Sequence, residues 1–239
     1  MSELWDQTTV GDIVAADFRT AAVFESFGID FCCGGRHEFA DACRQAAADP
    51  AAVRHALDAL PPADVARDDF ASAPLEQLID HIVDTHHAYV RSALPTIGRY
   101  LEKLVEAHGA RHPELVRILT VFRDLRADFE QHLIKEEQVL FPYVRDLATT
   151  TRPCGVSMSP FGTVENPIRM LEREHLEAGD EMRAIRELTR GYEIPADGCG
   201  TYEVCMAELW RFERDLHRHV HLENNVLFPR AIQLEASSQ

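Results

Sequence analysis

His132 and Glu136, four residues apart, recur as His219 and Glu223, and Val-Leu-Phe-Pro closes both segments, at 139–142 and again at 226–229. Residues i and i+4 of a helix share one face about 6 Å apart, so an imidazole and a carboxylate at this spacing can converge on one centre. An offset of 87 residues relates the two copies, and the same shift, within one residue, carries His87 to His175. The chain thus holds two related halves, each with one His followed by one His-x-x-x-Glu pair. A single inward His is usually a core residue bonded to a neighbour. An inward Glu is harder to explain, because an unpaired buried charge costs on the order of several kcal/mol. Four imidazoles and two carboxylates brought to one interior layer would be a metal site.

Helices must position that layer. From about residue 74 to 234, apolar residues recur at steps of three and four over four segments, near 74–109, 113–148, 166–191 and 200–234. Gly109 and His112-Pro113 end the first, the Gly/Pro/Ser-rich stretch 151–167 ends the second, and Gly191, Pro195, Gly198 and Gly200 separate the last two. In the second segment the stripe runs Ile118, Phe122, Leu125, Phe129, His132, Glu136, Val139, Tyr143. In the third it runs Ile168, Leu171, His175, Ala178, Met182, Ile185. The fourth gives Leu209, Phe212, Leu216, His219, Glu223, Val226, with His217 and His221 falling beside it. The first segment is divided: His86 extends the line Leu75, Ile79, Ile82, whereas His87 belongs to Val83, Val90, Leu94, Ile97, Leu101 and Leu104. The longer line and the repeat offset favour His87. Heights agree too, since His87 and His132 lie about 33 and 28 Å from the turn joining their helices at ~1.5 Å per residue.

The donor set selects the chemistry. A structural zinc site closes with four ligands and usually includes Cys, and no stripe position carries a well-placed thiolate. Two ions sharing two bridging carboxylates, with two His terminal to each, fit the count and leave room for an oxo, hydroxo or small exogenous ligand. Nitrogen and oxygen donors with open positions suit iron or manganese, and iron has the redox chemistry to use such a site. Ferritin-like centres would instead show Glu-x-x-His pairs and more carboxylates.

The first 60 residues read differently. Short helical stretches fall near 8–27, 36–47 and 50–60, and the segment Asp30-Phe31-Cys32-Cys33-Gly34-Gly35 sits between the first two. Adjacent cysteines make a strained disulfide, so thiol or metal chemistry is the more natural use. The expected organisation is a small helical domain over 1–60, a Pro/Ala/Asp-rich linker over 61–73 and a four-helix bundle over 74–239. A net charge of −16 with no basic run argues against nucleic acid as a partner. No apolar run approaches the roughly 20 residues that span a bilayer, and the N-terminus lacks a basic segment followed by an apolar core, so a cytoplasmic protein without a membrane partner is expected. Six cysteines in such a chain read as free thiols.

The His-rich set in an all-α, up-down-up-down four-helix bundle resembles the hemerythrin-like proteins. Oxygen-carrying hemerythrins use a fifth His, and here the inward set stops at four. Joined to an Asp-Phe-Cys-Cys-Gly-Gly domain, the His-x-x-x-Glu-x-x-x-Leu-Phe-Pro pattern resembles the Repair of Iron Centres family over nearly the whole chain. The resemblance implies an oxo- or hydroxo-bridged di-iron centre with His87, His132, His175 and His219 as nitrogen ligands and Glu136 and Glu223 as bridges. It further implies a stress-response role in restoring iron-sulfur clusters damaged by nitric oxide or oxidants, with damaged cluster proteins as partners and NO or O₂ as small ligands. Cys32 and Cys33 match the family's paired cysteines, and Glu174, beside His175, matches an acidic position that could guide iron or protons. Two alternatives stay open: an enzyme that reduces NO or reacts with peroxide at the same centre, and an O₂ or NO sensor read out by the small domain. The paired-cysteine domain also invites a homodimer.

Overall fold

The computed structural model describes residues 8–61, 70–149 and 161–237. Most of the linker and Cys154, together with most of the loop around it, lie outside the described residues. Those described form helices and no strand, with one isolated bridge between Thr9 and Glu38. Their contacts fall into two compact units, one of residues 1–79, 147–157 and 218–239, the other of 80–146 and 158–217.

The first unit contains four short helices, α1 (Val10–Ala16), α2 (Thr20–Ser26), α3 (Phe39–Gln45) and α4 (Pro50–Asp58). Local chemistry sets their ends. Thr9 caps α1 by accepting from the Asp12 amide, and Asp49 caps α4 by accepting from Ala51, with Pro50 at the first helical position where its missing N–H costs nothing. The stretch expected to be helical over 8–27 breaks at Asp17, whose carboxylate takes the Arg19 amide and guanidinium. Phe24, Phe31, Phe39, Val10 and Val53 form the core.

The chain's C-terminal segment belongs to the same unit. Asn225 donates its side-chain amide to the carbonyls of Phe31 (3.2 Å) and Cys32 (3.1 Å). Gly11 and Gly35 lie against it, and their backbones are joined by a 2.8 Å hydrogen bond. A Cβ at Gly11 would stand 2.6 Å from the Asn225 Oδ1, and one at Gly35 would collide with the same atom, so the close approach requires glycine at both. His221 is 1% exposed and packs against the rings of Phe18 and Phe31. This corrects the expectation that His221 merely borders the buried stripe; only His217 is partly exposed.

From residue 75 on the described residues are helical, and those within 80–146 and 161–217 form the bundle of the second unit. Helix α5 (Leu75–His81) runs through a π turn (Ile82–His87) into α6 (Ala88–His108). After the turn at Gly109 comes α7 (Glu114–Lys135), which passes through a second π turn (Glu136–Leu140) into α8 (Phe141–Thr149). Next come α9 (Glu165–Leu188) and α10 (Gly200–His221), with a third π turn (Leu222–Leu227) leading to α11 (Phe228–Ser237). Helix α7 packs on both α6 and α9. Phe212 of α10 meets Phe122 of α7 edge-on and Tyr89 of α6 at a tilt, closing the four-helix core.

The π turns alter the register read from sequence. Each adds a residue to a helical turn, rotating the next stripe by about 100°. After Glu136 the buried positions are therefore Leu140 and Val144, whereas Val139, expected to be inward, is 46% exposed. In the first helix the same insertion explains the two competing lines: His86 and His87 are both buried. Pro142 and Pro229 come just after two of these turns. A proline supplies no i→i−4 bond and its ring crowds the carbonyl four residues back, so a widened turn just before it costs little.

Burial lowers the His221 pKa to about 4, although the Phe31 carbonyl favours its charged form. With the folded value below an unfolded value near 6.5, the stability that neutral His221 contributes is complete above about pH 6.5 and lost as pH falls toward 4. Urea unfolding should show the wild type losing about 2 to 3 kcal/mol more than His221→Gln between pH 7 and 4. Parallel pH profiles would contradict this.

Candidate metal centre

Four of the residues singled out by spacing meet inside the second unit. Glu136 is fully buried, and its Oε2 lies 3.4 Å from His87 Nε2 and 3.3 Å from His132 Nε2. His175 Nε2 is 2.9 Å from His132 Nε2. The ligand atoms of His132, Glu136 and His175 all fall within 4.8 Å of one another. Such crowding of nitrogen and carboxylate donors is what a cation requires and what an apolar core would avoid.

The outer edges of these rings are also held. His87 Nδ1 is 2.6 Å from Glu137 Oε1, which also receives Arg91. His132 Nδ1 is 2.9 Å from Glu174 Oε2, and the other oxygen of Glu174 binds Lys135. A carboxylate accepting at Nδ1 places the ring proton there and leaves the Nε2 lone pair facing inward, the tautomer a metal needs. Glu174 is held at about 2 by its hydrogen bond to His132, against burial and helped by Lys135, so it acts as an anion here. Burial raises the Glu137 carboxyl, but its bonds to His87 and Arg91 outweigh that and lower it overall.

Sequence reasoning missed Glu137. Its position in the repeat carries Asn224 in the second copy, so internal symmetry gave no signal, and next to Glu136 it reads as a solvated residue. His86 is distinguished from His87 only by position: its Nδ1 lies 2.8 Å from Asp215 of α10.

In the first unit, His219 and Glu223 are both fully buried, with His219 Nε2 3.0 Å from Glu223 Oε1 across the start of the third π turn. The paired cysteines form a second cluster there. Asp30 Oδ1 accepts from the amides of Cys32 (3.0 Å) and Cys33 (2.9 Å), folding the turn. The Cys32 sulfur lies 3.3 Å from the same oxygen and 4.0 Å from the Cys33 sulfur, and neither is in a disulfide. Interaction with Cys33 and burial together push the Cys32 thiol well up, so it is protonated. Asp30, Cys32 and Cys33 present donors close enough for a cation, which would have to displace that proton.

A cavity of about 170 Å³ opens beside His132, walled by Asp128, Lys135, Glu174, Glu177 and Glu181. Burial, with Asp128, Asp124 and Glu177 nearby, raises Glu181 to about 7. The cavity therefore combines an anionic wall with a carboxyl able to exchange a proton near neutrality.

Removing either outer carboxylate should loosen the ring it orients. Glu137→Gln and Glu174→Gln are each expected to weaken metal binding about 10- to 100-fold in chelator competition, with His86→Gln nearly without effect. Equal losses in all three would mean that the Nδ1 partners do not set the ligand geometry.

Residues 78–231 match the family described as "Hemerythrin HHE cation binding domain", and residues 6–61 match "Domain of Unknown function (DUF542)". A protein of Musicola paradisiaca named iron-sulfur cluster repair protein YtfE is 34% identical over 96% of this chain and 98% of its own length. The Escherichia coli O157:H7 protein of the same name is 32% identical over 93% and 96%. A Haemophilus influenzae protein named probable iron-sulfur cluster repair protein is 32% identical over 88% and 90%. With end-to-end likeness to these proteins and a cation-binding domain of the hemerythrin HHE type, the chain belongs to the YtfE family.

Proposed function

We propose that this protein repairs damaged iron-sulfur clusters by means of a di-iron centre in its hemerythrin HHE domain. The reading rests above all on the buried donor set of His87, His132, His175 and Glu136, whose Nε2 atoms and carboxylate point to one interior region. His219 and Glu223 complete the proposed set: they repeat the His132–Glu136 spacing and lie within the matched span 78–231. In this reading His87, His132, His175 and His219 would hold the two irons through nitrogen, and Glu136 and Glu223 through their carboxylates. The relatives' names support cluster repair as the role.

When bound, the pair of irons supplies labile iron and redox chemistry at which NO or O₂ can bind. The protein's own residues do the rest. Glu137 and Glu174 hold His87 and His132 as neutral ligands. The wall of Asp128, Glu174, Glu177 and Glu181 attracts cations toward His132, and Glu181, near its midpoint at neutral pH, can take up or release a proton as charge moves. In this scheme Glu174 both orients His132 and lines the route. Cys32, a protonated thiol, and Cys33 sit on a turn anchored by Asn225, and the clients are proteins whose clusters NO or oxidants have damaged. The proposed setting is the cytoplasm; among the described residues no helix is long and apolar enough to cross a membrane.

Metal analysis with Mössbauer spectra of the purified chain should find two bridged irons, and zinc alone or no metal would overturn the assignment. Glu223→Ala should lose at least one iron while His217→Ala keeps both. Iron-loaded protein should restore activity to an NO-damaged cluster hydratase. Release of N₂O under turnover without such recovery would instead favour NO reduction, and ligand binding with neither would favour sensing.

A further inference from the structure

A different nucleophile stands at the far end of the second unit. Cys199 is exposed and caps α10, its carbonyl accepting from the amides of Tyr202 (2.8 Å) and Glu203 (3.1 Å). The amides of Tyr202 and Thr201 also favour its charged form. From α6, His108 brings Nε2 to 3.3 Å from that sulfur, with the His itself only 6% exposed. Arg111 settles which nitrogen carries the proton. Its Nη2 lies 3.3 Å from His108 Nδ1, and a guanidinium only donates, so Nδ1 accepts and the ring N–H sits on Nε2, aimed at the sulfur.

The neighbourhood is braced. Asp197, two residues before Cys199, is held by His112 Nε2 (2.9 Å) and Arg111 Nε (3.2 Å), and the Tyr202 ring stands edge-on to both His108 and His112. Such bracing keeps the sulfur in register with Nε2 rather than leaving it on a loose loop. The His108 hydrogen bond and the helix amides hold the Cys199 thiol down at about 7. Burial pushes Cys205 up to about 12 and raises Cys43, and Cys32 is raised as well. Helix α6 places this pair about 31 Å from His87 along its axis, at ~1.5 Å per residue.

We infer that Cys199, activated by His108, is a second reactive site that undergoes reversible S-thiolation by low-molecular-mass disulfides. The sulfur of Cys199, as thiolate, attacks one sulfur of the small disulfide. A bond forms between Cys199 and that sulfur as the original S–S bond breaks, and the other half leaves as a thiolate that takes a proton from solvent. The two electrons end on the departing thiol, so the small disulfide is the oxidant and a free thiol reverses the reaction.

The test uses the full-length, iron-loaded protein with glutathione disulfide, quenched at intervals and read by peptide mass spectrometry from pH 5.5 to 9.5. Cys199 should be modified ahead of the partly exposed Cys33, with a rate midpoint near pH 7. His108→Asn should move that midpoint up by about one unit or more, toward the ~8.5 of an ordinary thiol, with Cys33 and the iron content unchanged. Arg111→Leu, which frees the tautomer, should shift it the same way by less. A wild-type Cys199 that titrates near 8.5, or that reacts no faster than Cys33 at pH 7, overturns the proposal whether or not either variant folds. So does an unmoved midpoint in a folded His108→Asn.

Discussion

A carboxylate with no exposure to water, Glu136, sits between two imidazole nitrogens, and the bundle around it is arranged to suit that placement. Removing such a charge from water costs several kcal/mol unless an opposite charge or well-aimed donors replace the lost hydration. Neutral imidazoles alone do not neutralise it, but imidazoles presenting lone pairs together with a cation do. Glu137 and Glu174 can be understood as part of the same solution. Each lies toward solvent, takes an Arg or Lys for its own charge, and fixes the proton of a buried His on its outer nitrogen. Charge is thus graded outward, from the buried carboxylate through the rings to paired ions at the edge.

The π turns serve that geometry. In an unbroken α-helix the His-x-x-x-Glu pair and the apolar residues after it would share one stripe, as the sequence periodicity suggests. A widened turn at Glu136 rotates the next stretch of helix, so that Leu140 and Val144 resume the core and Val139 turns outward. The same device at Ile82–His87 lets neighbouring histidines both be buried, one toward Glu136 and one toward Asp215. Two of the three turns precede a proline that could not have completed a regular helical bond. Segments of this kind are common where a side chain must be aimed for function rather than for packing.

The third π turn has duties on two sides within its own unit. Glu223 faces His219, while Asn225, two residues on, ties down the carbonyls of Phe31 and Cys32. The backbone that aims a proposed ligand therefore also shapes the turn carrying the paired cysteines. Two glycines make room for Asn225, and His221 fills the remaining space as a neutral ring. Two residues of backbone and the hydrogen bonds of Asn225 thus separate Glu223 from the turn of the paired cysteines.

Sequence by itself determined the all-α class, the four long helices, the short N-terminal ones and the repeated His-x-x-x-Glu pairs, because helical periodicity, caps and turn residues act locally. It also picked out His87, His132, His175 and Glu136 before any geometry was known, since burying ionisable residues at core spacing has few explanations. Other matters were decided only by the tertiary structure. Val139 faces outward and His86 inward because an inserted residue in a turn leaves no mark in composition. Glu137 and Asp215 orient histidines from other helices, and His221 is buried by a domain more than 180 residues earlier in the chain. The Cys199–His108 pair likewise joins residues 91 apart. Spacing reports what shares a face of one helix, whereas which faces meet depends on packing between segments that the linear order separates.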